Sequence, residues 1–158
     1  MRGNSARPLG RSPWVEAAPF RAHVRHTTDT AGVPWPALAV LSGVSVPAVH
    51  ALLFGRRGRA LTRLEPRVAA RLLSVGTAEL RGLRRAWVAA EPTAVRLRQL
   101  LAGGLDPLRV ARWCDLTPTQ LADLVDGDAP ACSQLTETLV LAADRLRVAA
   151  PQPGRLAA

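Results

Sequence analysis

The chain has no lysine, no tyrosine and no isoleucine, one methionine and only two cysteines in 158 residues. Each shortage removes a class of chemistry. Without tyrosine there is no phenolic nucleophile of the recombinase or relaxase kind, and without lysine there is neither a Schiff-base amine nor the cation of a nucleotide phosphate loop. Acidic residues number 12 against 21 basic ones and are not clustered as a two-metal nuclease requires. Cys114 and Cys132 are too few for a disulfide framework and lack C-x-x-C spacing, so they are read as reduced, partly buried thiols. His23, His26 and Asp29 lie three apart on one expected helix, but the sequence identifies no further ligand, so they are read as a polar face and no metal is expected. The longest apolar run, residues 33–41, contains two prolines and falls far short of the ~20 residues that span a bilayer. The N-terminus also has no signal-peptide core. The expectation is a cytoplasmic protein without cofactor that is not an enzyme.

What is present in excess is arginine, and it is unevenly placed. Residues 1–85 carry 14 arginines against 4 acids, whereas residues 86–158 carry 7 against 8, so the whole net charge of +9 belongs to the first half. A basic half beside a neutral half suggests a polyanion-binding unit joined to something with another task. Alanine, glycine and proline are abundant too, a bias of GC-rich genomes, so the choice of arginine over lysine at any one site carries no argument.

The chain is organised around residues 35–55. Leu38, Ala39, Val44, Val49 and Leu52 fall where two short helices crossing over a tight turn bury side chains, and Gly43 falls where that turn needs positive φ. Ser45 reads as the N-cap of the second helix, Pro47 sits in its first turn and Gly55 ends it. A preceding helix from Pro19, with Phe20, Val24, Thr28 and Ala31 on one side and Gly32 at its end, completes a trihelical unit, and Pro66 opens a fourth helix. An offset of 72 then aligns Gly32, Ala39, Leu52 and Gly55 with Gly104, Ala111, Leu124 and Gly127. With one more residue in the following loop, Ala69-Ala70 aligns with Ala142-Ala143. The expected architecture is all-α, without a sheet: two tandem trihelical helix-turn-helix units joined by a helical linker. The expected divisions are a flexible basic arm (1–18), an N-terminal unit (19–76), a linker (77–92) with Leu80, Leu83 and Trp87 on one stripe, a C-terminal unit (93–150) and a tail (151–158). Trp87, Trp113 and Leu139 are expected to supply a core shared between the units.

Gly43-Val44-Ser45, Leu52-Leu53-Phe54-Gly55-Arg56-Arg57-Gly58-Arg59, the Arg63-Leu64-Glu65-Pro66 step into Ala69-Ala70-Arg71-Leu72-Leu73, and Arg96-Leu97-Arg98-Gln99-Leu100-Leu101 together give the chain a family likeness. Over residues 20–148 it resembles the tandem helix-turn-helix DNA-binding proteins of high-GC Gram-positive bacteria and their phages. The resemblance implies binding to double-stranded DNA and transcriptional regulation. The first unit departs from the pattern in carrying Val46, Pro47 and Ala48 where polar residues are common.

A recognition helix reads bases with side chains near its N-terminus and on its exposed face. In the first unit these positions are Ser45, Val46, Ala48 and His50, with Ala51 beside them. Only Ser45 and His50 hydrogen-bond. The stronger footprint is Arg56, Arg57, Arg59, Arg63 and Arg67. Arg57-Gly58-Arg59 is slender enough to enter an A·T minor groove, and the same arginines equally suit phosphate contacts. In the second unit Thr117 and Gln120 form a capping box ahead of Pro118, and Thr119 and Gln120 are candidate base contacts. Asp123, Asp126 and Asp128 repel phosphate there, so this unit is expected to pack against the first unit or a second subunit, assembling or positioning the protein, with a homodimer or a protein partner as the contact it would offer. Two readings remain: a nucleoid-associated regulator, and a protein-interaction module whose arginines meet an acidic partner.

Overall fold

The computed structural model describes residues 13–149. The expected tail and most of the expected arm therefore lie outside the described residues. The described elements are β1 (Val15–Glu16), α1 (Ala17–Ala31), α2 (Trp35–Ser42), α3 (Val46–Phe54), β2 (Arg63–Leu64), α4 (Pro66–Leu73), α5 (Thr77–Arg85), β3 (Trp87–Ala89), α6 (Glu91–Ala102), α7 (Pro107–Trp113), α8 (Pro118–Asp126), β4 (Ala131–Ser133) and α9 (Gln134–Ala149). The molecule is mostly helical.

The local signals around α2 and α3 act as their chemistry requires. Gly32 and Gly43 end α1 and α2 at φ 64° and 67°. Ser45 Oγ accepts a hydrogen bond from the Ala48 N–H at 3.3 Å, Pro47 lies in the first turn, and Gly55 follows the last. In the second half Thr117 and Gln120 form the reciprocal capping box at 3.2 and 2.9 Å, and Gly127 ends α8 at φ 86°. The position matching Gly43 is Asp115, which takes φ 56°. Its carboxylate lies 2.9 Å from Arg84 Nη1. The same guanidinium donates to the Gly32 carbonyl at 2.6 and 3.1 Å. Arg84 thereby ties the end of α1 to the α7–α8 turn.

The expectation of no sheet is corrected. β1 pairs antiparallel with β2, Val15 opposite Leu64, and β3 with β4, Val88 opposite Cys132. Strands of two and three residues are too short to show an alternating pattern. Their role is to satisfy the backbone where the chain enters and leaves each group of helices, continued by Ala17 N–H to Thr62 O and Ala90 N–H to Pro130 O. The pairing also exposes a repeat beyond the one expected: Trp14-Val15-Glu16-Ala17 matches Trp87-Val88-Ala89-Ala90, followed by Pro19 with Pro92 and Arg25 with Arg98. Residues 15–18, expected in the arm, are thus strand and the start of α1. Because Leu64 corresponds to Cys132, the stretch from the third helix of each group to its second strand is shorter in the second half. The expected match of Ala69-Ala70 with Ala142-Ala143 does not hold.

Among the described residues two hydrophobic cores form, and α9 serves both. Val24, Leu38, Val49, Leu52, Leu72, Leu80 and Leu83 pack with Leu135, Leu139 and Ala142 of α9. Leu97, Leu100, Val110, Leu121, Leu124 and both cysteines pack with Val140. Trp113 borders both cores, and its Nε1 donates to the Leu139 carbonyl at 3.1 Å. Burying a Leu or Val side chain contributes roughly 1.5–3 kcal/mol. Of the residues expected to form the shared core, Trp113 borders both cores, Leu139 joins the first from a helix of the second half, and Trp87 is 69% exposed. It opens β3 and takes no place on an apolar stripe with Leu80 and Leu83.

Candidate nucleic-acid interface

α3 is positioned from both ends. Val46, Val49, Ala51, Leu52 and Leu53 are buried, and arginines of α1 hold its C-terminal carbonyls. Arg21 Nε donates to Leu52 O at 2.7 Å and Arg25 Nη2 to Leu53 O at 3.0 Å. α3 has no basic residue in its own last turn, so these two supply the cations that its negative dipole end favours. Arg98 Nε repeats the arrangement on Val125 O of α8 at 2.8 Å. Arg21 also reaches Leu61 O at 2.6 Å, fixing the far end of the segment after α3.

That segment opens with a tight hairpin. Arg56 N–H donates to Arg59 O at 2.9 Å and Arg59 N–H to Arg56 O at 3.0 Å, with Arg57 and Gly58 at φ 50° and 74°. Both central residues at positive φ give the turn whose twist suits paired strands, a position usually held by Asn, Asp or Gly. Gly55 is obligatory beside it, because a Cβ there would stand 2.3 Å from the Arg59 carbonyl oxygen. The expected slender loop is therefore a fixed hairpin that presents three exposed arginines.

Arg63 lies on β2 opposite Glu16, Arg67 lies in the first turn of α4, and both are exposed. Among the described residues, the side chains of Arg56, Arg57, Arg59, Arg63 and Arg67 make no hydrogen bond or ion pair with protein, whereas Arg21, Arg25, Arg71, Arg81 and Arg84 each donate to a backbone carbonyl. No protein-family model, curated protein or solved structure matches the chain.

The α3 positions fare less evenly. Val46 is 5% exposed and Ala51 3%, so the expectation that they face a ligand is corrected: the helix turns both inward. Ala48 is half-buried against the first core, and the Ser45 hydroxyl is engaged as the cap. His50 is exposed and packs at a tilt against Phe54, ring centroids 4.9 Å apart, with Trp35 at 6.0 Å. Phe54, 60% exposed, belongs to this surface and was not among the expected contacts. Its place one helical turn after His50 was the available signal.

In the second half Thr117, Thr119 and Gln120 are exposed on and before α8. Thr117 and Gln120 spend their side chains on the capping box, which leaves Thr119 as the uncommitted hydroxyl of the three. The cysteines line the second core. Burial pushes the Cys114 thiol up to about 12. The Cys132 thiol is raised as well, by burial first, with Thr93 acting against the shift and Glu137 adding to it. Among the described residues no three His, Cys, Asp or Glu side chains are grouped to hold a metal ion, and no helix is long and apolar enough to cross a membrane.

Proposed function

We propose that the protein binds double-stranded DNA and acts as a transcriptional regulator, with α1–α3 and α6–α8 as two helix-turn-helix units in tandem. The observation that carries this reading is the group of five exposed arginines in residues 56–67 whose side chains, among the described residues, make no hydrogen bond or ion pair with protein, whereas Arg21, Arg25, Arg71, Arg81 and Arg84 of the same half donate to backbone carbonyls. Arg57 adds to it: a non-glycine residue in the left-handed region costs about 1 kcal/mol, and strain kept at an exposed tip points to a task for that side chain. The hairpin grips phosphates or a minor groove, and α3 contributes His50 and shape more than base readout. The C-terminal unit, with Asp123, Asp126 and Asp128 on and just after α8, positions the first.

A second reading, an interaction module for an acidic protein partner, is favoured by one feature. With Val46 buried and Ser45 engaged, the outer face of α3 presents His50 and Phe54, an apolar surface for a recognition helix. Titration of the full chain on labelled duplex DNA at graded salt separates the two. If four or five arginines each neutralise a phosphate, log affinity falls against log salt with a slope of about −4. A flat response or no binding contradicts the DNA reading and leaves the protein partner.

A further inference from the structure

Beside α3 lies a cleft of about 500 Å³ whose lining is mostly apolar. Trp35, His50 and Arg56 line it from the first half, and Trp113 and Leu146 from the second. Its volume falls within the ~300–1,000 Å³ of small-molecule sites. Trp35 and Trp113 are set edge-on, with centroids 6.4 Å apart at 81°, and His50 is tilted against Trp35 at 6.0 Å and 59°. Such walls favour a flat aromatic guest, which finds ring edges and faces together. The charge at the cleft comes from Arg56, which has no protein partner among the described residues and whose backbone is pinned by its two hydrogen bonds to Arg59. A planar guanidinium at an apolar opening fits a carboxylate, whose two oxygens accept from its paired N–H groups.

We propose that this cleft binds a flat aromatic molecule carrying one carboxylate, its ring among Trp35, His50 and Trp113 and its carboxylate on Arg56. The inference does not depend on DNA binding. Where both readings hold, the ligand withdraws one charge from the hairpin and weakens the grip on DNA.

The test is a titration of the full chain with naphthoate, and in parallel with neutral naphthamide, followed by tryptophan fluorescence without DNA. Naphthoate quenches saturably, naphthamide binds about tenfold more weakly, and Arg56→Gln lowers naphthoate affinity about tenfold while leaving naphthamide unchanged, the loss expected for one charge-assisted pair. Leu146→Trp, which fills the cleft, abolishes both; if that variant fails to fold, the exposed Arg56→Gln still decides. Equal affinity for the two probes, or naphthoate binding indifferent to Arg56→Gln, overturns the proposal. So does self-association that buries the same tryptophans without ligand, since a second copy would then be the occupant. With no DNA present, the outcome is separate from that of the DNA titration.

Discussion

Arg57 and Gly55 sit two residues apart, and their backbones set opposite demands. Gly55 is fixed by space: the Cβ of an alanine meets the Arg59 carbonyl at 2.3 Å. Gly55→Ala should destabilise by about 2 kcal/mol or more in urea unfolding, whereas Gly43→Ala, at φ 67° with nothing within 4 Å, should cost only about 1 kcal/mol. Arg57 is held at φ 50° for no packing gain. Arg57→Asn should therefore raise stability by roughly 0.5 kcal/mol, since asparagine tolerates the left-handed region, while weakening DNA binding. A parallel change in both, or none in binding, would deny the side chain its task. Cys114 makes a pH prediction. Its thiol is raised from 9.0 to about 12 in the fold, so the unfolded chain loses that proton first as pH climbs. The stability tied to the neutral thiol is complete below about pH 9 and drains away between about pH 9 and 12. The urea midpoint should fall from about pH 8 to about pH 10.5 in the wild type and fall less in Cys114→Ala.

Among the elements, those with a local chemical signature were legible in the sequence. Gly43, Ser45, Pro47 and Gly55 announced α2 and α3, and Thr117, Pro118 and Gln120 announced α8, because a cap or a positive φ is set by a few neighbouring atoms. The paired strands left no pattern at their length, although the twin Trp-Val-x-Ala segments marked where they begin. The double role of α9 was hidden for another reason. Leu135, Leu139 and Ala142 face one core and Val140 the other, so the helix is apolar on two sides and its periodicity does not say which side meets which unit. The burial of Val46 followed from the same limit: position near the helix start does not fix which side of α3 a residue occupies, and tertiary packing decided it. The arginine hairpin was legible as charge but not as a turn, since arginine is unusual at φ 50°. Leu139 is fully buried in the first core, on the helix that serves both. Leu139→Ala should cost about 2–5 kcal/mol and broaden or shift the unfolding of both halves together. Destabilisation confined to either half would contradict the shared helix.

Across the whole molecule the positive charge lies in the first half, but that half does not own a complete core. Cutting the chain after α5 removes Leu135, Leu139 and Ala142 from among Leu38, Leu52 and Leu80 and also the Asp115 partner of Arg84. A fragment of residues 1–85 is therefore a poor test of where DNA binds, and variants of the full chain are the proper one. On the proposed DNA-binding reading most of the affinity would lie in the hairpin, with three exposed full charges against Ser45, engaged as a cap, and His50. The most direct measurement compares the triple variant Arg56→Ala, Arg57→Ala, Arg59→Ala with the double variant Ser45→Ala, His50→Ala on A·T-rich and G·C-rich duplexes at two salt concentrations, with folding checked by circular dichroism. The triple variant should bind far more weakly than the double, and its salt slope should flatten by about three units, one for each phosphate that an arginine no longer neutralises. If the hairpin enters the minor groove, any preference for A·T sequence should vanish with it. A folded triple variant with unchanged affinity and slope would contradict the account and return the recognition helix to first place.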